Sequence, residues 1–133
     1  MPDTAIVSRV PRFTDGMKVL EHYTSGALTA AAVKKEWIVT GYYSIRQVIV
    51  DSETANVGNG VDRIDINVNG TSIYSATADK PVLQQGDTGM WASSHNLATR
   101  GVVPGDVISY DVDNVAGGSG SARVKVCIVL GTR

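Results

Sequence analysis

Two stretches near the end of the chain alternate apolar and polar residues with a period of two. The side chains that share one side are Ile108, Tyr110 and Val112 in the first stretch, and Val124, Val126, Ile128 and Leu130 in the second. A period of two is typical of a β-strand with one buried face. A small-residue loop, residues 117–120, separates the two stretches. We therefore predict two half-buried strands here.

Earlier parts of the chain carry the same kind of signal. Residues 37–50 are rich in β-branched and aromatic side chains, which predicts one long strand or two strands separated by a bend at Gly41. Residues 64–68 alternate and end at Asn69-Gly70, a dipeptide that favours a tight type I′ turn. That turn places Val68 opposite Thr71, Ile66 opposite Ile73 and Ile64 opposite Ser75. No long helix is predicted, so the pattern favours an all-β sandwich or barrel.

The first 35 residues differ from the rest. Breaker and turn residues recur there, at Pro2, Pro11, Asp15-Gly16 and Ser25-Gly26. Residues 6–10 are compatible with a short edge strand, and residues 27–35 with about two helical turns. Because these few apolar residues cannot form a core alone, we predict an extended or partly helical N-terminal arm over residues 1–35. Residues 36–133 are predicted to form the β-sandwich domain.

Composition narrows the possible partners. The chain has 133 residues, 43% hydrophobic and 19% charged, with a net charge of −1, as expected of one globular domain. This charge gives no basic field for nucleic acid or an anionic membrane, so neither partner is expected. The single Cys127 excludes an intramolecular disulfide, and its apolar strand predicts an inert, half-buried thiol. No signal peptide or long apolar run is evident, so we expect synthesis and folding in a cytoplasm.

Residues able to carry chemistry are few and scattered. The two histidines, His22 and His95, have no metal ligand or triad partner at a suitable spacing, so structural roles are expected for both. Asp106, Asp111 and Asp113 lack the spacing of a calcium loop. We expect Asp106 to accept hydrogen bonds from backbone amides in its turn, and the other two to lie on the solvent face of their strand. No catalytic residue, metal site or cofactor is predicted.

Five aromatic residues offer the best candidate for a small-ligand site. They are Trp37, Tyr42, Tyr43, Tyr74 and Trp91. Together on the surface they would form a platform for stacking sugars, but core packing is the simpler expectation for the two tryptophans, which lie among apolar or small residues.

Three stretches of the chain carry a resemblance to a known kind of protein. They are IDINVNGTSIY at residues 64–74, PGDVISYDVD at residues 104–113 and VKVCIVL at residues 124–130. From about residue 38 to the end, the chain resembles a domain type recurrent in tailed-phage virion proteins. The resemblance implies a jelly-roll-like antiparallel β-sandwich that decorates phage heads or fibres and is often trimeric.

The last two predicted strands leave the topology open. If they formed a hairpin centred on Gly118, Asp113 would face Arg123 and Asp111 would face Lys125, which favours an immunoglobulin-like sandwich. A jelly roll instead sends these strands to opposite sheets, with the glycine loop as the crossing. The resemblance favours the jelly roll.

The resulting functional expectation is a non-enzymatic capsid decoration or cement protein of a phage virion. Its expected partners are the major capsid protein and itself, as a homotrimer, assembled in the host cytoplasm. The expected capsid contacts lie in the arm, at Ile6, Arg9, Arg12 and Phe13. The alternative is a carbohydrate- or receptor-binding module of a phage tail or fibre.

Overall fold

A computed structural model describes residues 17–54, 60–84, 89–93, 100–116 and 120–132. Ten β-strands and one short 3-10 turn, Thr77–Asp79, make up this part of the chain. In chain order the strands are β1 (Met17–Ala27), β2 (Ala31–Ile38), β3 (Tyr43–Thr54), β4 (Val61–Val68), β5 (Thr71–Ser72), β6 (Val82–Gln84), β7 (Gly89–Ser93), β8 (Arg100–Val102), β9 (Val107–Asn114) and β10 (Ala122–Thr132). No helix among these residues is long and apolar enough to span a membrane.

The strands form two antiparallel sheets that pack face to face. Sheet I has the order β1-β10-β3, and β7 and β8 both pair with β3. Sheet II has the order β2-β9-β4, and β5 and β6 both pair with β4. Taken as interrupted strands, β5/β6 and β7/β8 give four strands in each sheet. The chain alternates between the sheets in the order of a jelly roll, which confirms the predicted all-β, jelly-roll-like sandwich.

The crossing between the last two strands decides the topology. β9 lies in sheet II and β10 in sheet I, so they do not form a hairpin. Asp111 of β9 is opposite Asp65 of β4, and Lys125 of β10 is opposite Asp51 of β3. The immunoglobulin-like alternative, in which Asp111 would face Lys125, is therefore wrong. The loop after β9 carries the chain from one sheet to the other.

The core lies between the sheets and is made by the alternating positions. All seven apolar side chains in the two stretches that define β9 and β10 are buried, as the pattern predicts: Ile108, Tyr110, Val112, Val124, Val126, Ile128 and Leu130. Ile64, Ile66 and Val68 of β4 join them. Burial of one such aliphatic side chain contributes about 1.5–3 kcal/mol, so this interleaved set supplies the main driving force for folding.

The structure corrects the prediction of an N-terminal arm over its second half, residues 17–35. β1 pairs with β10 from Met17 to Thr24 without a register shift, and Leu20 packs against the core. Residues 27–35 do not form the predicted helix, because β2 begins at Ala31 and pairs with β9. Burial of Trp37 and pairing with β9 outweigh the helix propensity of Ala and Lys. Residues 1–16, including Ile6, Arg9, Arg12 and Phe13, lie outside the described residues.

The predicted tight turn joins β4 to β5. Asn69 and Gly70 both have positive φ, 52° and 84°, as a type I′ turn requires. Val68 is opposite Thr71, and the Ile73 amide donates to the Ile66 carbonyl at 2.9 Å. The predicted pairing does not reach Ile64, whose amide donates to the Pro81 carbonyl at 3.0 Å. The 3-10 turn redirects the chain, and β6 takes the place of a longer β5.

Candidate functional site

Three carboxylates gather on sheet II. Asp65 of β4 is opposite Asp111 of β9, and one carboxylate oxygen from each of these residues and from Asp113 lies within 4.8 Å of the others. The core-facing side of β4 holds Ile64 and Ile66, so alternation turns Asp65 to the opposite side of the sheet. Asp65 is nevertheless only 6% exposed. Such a group of carboxylates requires a compensating positive charge.

Lys80 supplies that charge. Its Nζ lies 3.1 Å from Asp65 Oδ2 and 2.9 Å from Asp113 Oδ2. The hydrogen bond to Asp113 raises the pKa of Lys80, and the bond to Asp65 acts in the same direction. The Lys80 ammonium therefore supplies the positive charge that a bound cation would otherwise have to provide. We interpret the cluster as an ion network that fastens the segment around the 3-10 turn to sheet II.

Neutral side chains complete the network. Ser72 Oγ donates to Asp65 Oδ1 at 2.6 Å, and Asn67 Nδ2 donates to Asp111 Oδ2 at 2.9 Å. Burial raises the pKa of Asp111, partly offset by the Asn67 hydrogen bond. Asp113 is exposed and Asp111 half-buried, so the predicted solvent-face position holds fully only for Asp113. The sequence prediction missed the cluster, since the strand register brings Asp65 beside Asp111 and the segment after the 3-10 turn brings Lys80 to the carboxylates.

Asp106 behaves as predicted. Its Oδ2 accepts a hydrogen bond from the Val103 amide at 2.9 Å, and its Oδ1 accepts one from Asn69 Nδ2 at 3.0 Å. Asn69 Oδ1 in turn accepts from the Val107 amide at 2.9 Å. These bonds tie the turn before β9 to the turn after β4, which fixes one end of the sandwich.

That end presents three apolar side chains, which we call the apolar tip. Backbone bonds join the β2–β3 connection to the turn before β9, from Val39 N to Asp106 O at 2.8 Å and from Gly105 N to Val39 O at 2.9 Å. The tip consists of Ile38, Tyr42 and Val103, which are 71%, 64% and 39% exposed. Ordered loops therefore hold apolar surface in solvent at this end.

The aromatic residues do not form the platform considered from sequence. Tyr43 is half-buried against the core, and Tyr74 is buried with its hydroxyl unpartnered. Trp37 stacks on Tyr110 with ring centroids 6.2 Å apart, as core packing predicts. The side chain of Trp91 lies outside the described part of the chain. Tyr42 is the one exposed aromatic side chain among the four candidates that are described.

A second apolar surface lies on β1. Met17, Val19 and Tyr23, which we call the β1 face, are 46%, 48% and 50% exposed. Cys127 on neighbouring β10 is half-buried, and its Sγ lies 3.6 Å from Glu21 Oε2. Burial raises the pKa of Cys127, and the Glu21 charge acts in the same direction. The thiol is therefore poorly ionised, in agreement with the prediction of an inert cysteine.

His22 takes a structural role between the sheets. Its Nδ1 lies 2.5 Å from the hydroxyl of Tyr110, which belongs to sheet II. Burial lowers the pKa of His22, and the nearby charges of Lys35 and Lys34 lower it further. The imidazole is thus neutral near pH 7, and its Nδ1 shares a hydrogen bond with the Tyr110 hydroxyl. This confirms the prediction for His22, while His95 lies outside the described residues.

Asp62 is a structural residue that the sequence prediction missed. It is fully buried at the start of β4. Its Oδ1 accepts from the Ala116 amide and its Oδ2 from the Ser121 amide, both at 2.8 Å. The two amides flank the glycine loop, so one carboxylate fastens both sides of the crossing between β9 and β10. No local sequence pattern marks a contact over this separation.

Comparison with known proteins gives no further guide to function, since no protein-family model matches the chain and no curated protein matches it.

Proposed function

We propose that the protein is a structural component of a phage virion, a decoration or cement protein that binds the major capsid protein as a homotrimer. The observation that carries the proposal is the kind of side chain that is exposed. The titratable groups brought together in the described structure serve the fold, as in the Lys80 network and the His22–Tyr110 contact, whereas apolar side chains on β1 face solvent. The molecule offers surface for binding.

The position of β1 supports a role for the N-terminal residues. Residues 1–16 connect directly to Met17, so they begin beside the β1 face at the edge of sheet I. The arm contacts proposed from the sequence, Arg9 and Arg12 among them, are covalently tied to this apolar surface. Residues 6–13 carry two arginines and no acidic residue, and such a short stretch next to an apolar face would suit a capsid surface that combines acidic and apolar groups.

Binding would be entirely interfacial. A contact of about 1,200–2,000 Å² is sufficient for stable attachment of one protein to another. Repetition of the same contact on a symmetric shell, and within a trimer, adds avidity without any new kind of interaction. The rigid jelly roll would hold its contact surfaces in fixed positions while the arm reaches a neighbouring capsid subunit.

The test is binding of purified protein to phage heads that lack it. Arg9→Glu with Arg12→Glu should weaken binding by at least about tenfold, because the variant replaces attraction by repulsion at the proposed contact. The matched control is Lys34→Glu with Lys35→Glu, which makes the same charge change on β2 of sheet II, outside the β1 face, and should bind as the unmodified chain does. Equal binding of the arm variant and the control would refute the arm contact.

Two further results bear on the whole proposal. Deletion of residues 1–14 should leave a folded domain that no longer binds heads, and sedimentation of the full chain should give three times the monomer mass. Absence of binding by the full chain to any phage head would refute the capsid role itself.

The apolar tip supports a second candidate, a carbohydrate- or receptor-binding module of a tail or fibre. Tyr42 is 64% exposed beside ordered loops, a setting in which an aromatic ring can stack on a sugar. The isolated protein would then bind glycans on an array, and Tyr42→Ala would abolish the signal. Ile38→Ala, a smaller loss at the same end, serves as the comparison. No glycan signal from the full chain would remove this candidate.

A further inference from the structure

His22 lies where the edges of the two sheets come together. Within the described part of the chain, β1 is an edge strand of sheet I and β2 is an edge strand of sheet II. The ring of His22 on β1 is 5.7 Å from the ring of Tyr110 on β9, the strand that pairs with β2. Its Nδ1 bonds the Tyr110 hydroxyl, whereas its Nε2 has no hydrogen-bond partner among the described residues. The ring is only half-buried, so Nε2 is available to a ligand.

Two consecutive lysines of β2 lie beside this histidine. Lys35 is opposite Tyr110 in the register of β2 with β9. From Ala31 to Lys35 the chain advances four residues along β2, while β9 advances two, so β2 is irregular here. An irregularity of this kind changes the direction in which side chains point. Lys34 and Lys35 both act on His22, since the charge of each lowers the pKa of the imidazole. We call these three residues the basic edge.

The positive charge of the basic edge is not compensated by the described residues. The ion pairs formed within that part of the chain involve Lys80 or Arg123, and no carboxylate there offsets the effect of the two lysines on His22. The whole chain has a net charge of −1, so this concentration of positive charge is local. Protection of an edge strand accounts for lysines on β2, but it does not require both of them to act on a histidine. Nitrogen groups that converge without an acceptor suit an anion.

We propose that a small tetrahedral oxyanion, of the phosphate or sulfate class, binds at the basic edge and accepts hydrogen bonds from His22 Nε2, Lys34 and Lys35. The anion favours the imidazolium form of His22, in which Nδ1 donates to the Tyr110 hydroxyl and Nε2 donates to the anion. Binding therefore becomes tighter as the pH falls and His22 takes up a proton. Tyr110, Lys34 and Lys35 are the titratable groups of the described residues that face His22, and the residue opposite it on β10 is Val126.

The anion site does not depend on the capsid role, and it can be tested on the isolated full chain. The readout is the NMR signal of the His22 imidazole, assigned by its loss in His22→Gln. The protein is titrated with sodium sulfate while sodium chloride keeps the ionic strength constant, because sulfate keeps the same charge from pH 7.5 to pH 5.5. We expect a saturable shift of the signal, with binding at least about threefold tighter at pH 5.5 than at pH 7.5. No saturable shift at either pH would overturn the proposal.

Charge-removing substitutions separate a specific site from a general effect of net charge. Lys35→Gln should weaken sulfate binding by about fivefold, because it removes one ammonium from the site. The matched control is Lys125→Gln, which removes the same charge from an exposed position on the outer side of sheet I and should leave binding unchanged. Equal weakening by the two variants would overturn the proposal, because net charge would then be the cause. Unchanged binding in the double variant Lys34→Gln with Lys35→Gln would also overturn it.

Discussion

The side-chain carboxylate of Asp62 accepts hydrogen bonds from two backbone amides that are far from it in the sequence. The local sequence predicts no role for it, because its partners Ala116 and Ser121 are 54 and 59 positions away. Asp106 was predicted correctly because its amide partner, Val103, is three positions away in the same turn. Sequence patterns thus reveal polar contacts within one turn, and miss contacts that depend on the packing of sheets.

Asp62→Asn should destabilise the protein by about 2–4 kcal/mol, because the amide group has one acceptor oxygen and leaves one buried backbone N–H without a partner. Urea denaturation at pH 7 measures the change in the free energy of unfolding. Asp51→Asn on β3, a half-buried strand position, is the control and should change it by less than about 0.5 kcal/mol. Equal effects of the two substitutions would contradict the assigned role of Asp62.

The burial of His22 predicts a dependence of stability on pH. Because the folded state lowers the pKa of His22 below its ordinary value of 6.5, the unfolded chain binds the proton more readily. The contribution of His22 is therefore fully present above pH 6.5 and decreases as the pH falls below it. His22→Gln should show a smaller loss of melting temperature between pH 7.5 and pH 5 than the unmodified chain, as thermal unfolding will measure. Parallel pH profiles would exclude His22 as the cause.

At the scale of single elements, the turn after β4 was predicted correctly from the sequence, whereas strand β2 was not. Asn69-Gly70 was predicted correctly because turn chemistry and the alternation of residues 64–68 act over a few residues and agree. The helix predicted over residues 27–35 was wrong because local propensity favours helix there, while the neighbouring strand β9 decides the outcome. Short-range chemistry is readable from sequence when no distant partner competes with it.

Gly70→Ala should cost about 1–2 kcal/mol, because φ at this residue is 84° and a Cβ disfavours that region. A Cβ at this position meets no atom within 4 Å, so the cost belongs to the backbone alone. Gly26→Ala in β1 has equally open surroundings without the positive φ, and should be nearly neutral or slightly stabilising. Chemical denaturation of the two variants gives the comparison, and equal stabilities would argue against the type I′ turn.

For the whole molecule, the sequence indicated two sheets and most of the core, yet left the order of strands open. Burial of the same faces of β9 and β10 is compatible with a hairpin or with a crossing, so alternation alone cannot choose between them. The charges of Asp111, Asp113, Arg123 and Lys125 favoured the hairpin that the structure excludes. Their actual partners come from β3, β4 and Lys80, which are close only in the folded molecule.

A double-mutant cycle tests the crossing directly. Asp113→Ala and Arg123→Ala should be additive, with a coupling energy near zero, because Asp113 contacts Lys80 at 2.9 Å and Arg123 lies 3.8 Å from Glu53. The cycle for Asp113 and Lys80 is the positive control and should give a coupling of about 0.5–1 kcal/mol, since both groups are partly exposed. A comparable coupling between Asp113 and Arg123 would restore the hairpin.

The central place of β10 has a consequence for synthesis of the chain. β1 and β3 are both hydrogen-bonded to β10, so the last of the ten described strands completes sheet I from the middle. While residues 122–132 are still inside the ribosome, β1 and β3 lack the strand that pairs with both, and their apolar side chains remain exposed. Sheet I therefore cannot be completed until β10 has left the ribosome, and until then its unpaired strands are open to chaperones and to aggregation. Deletion of residues 122–132 would remove the strand that joins β1 to β3.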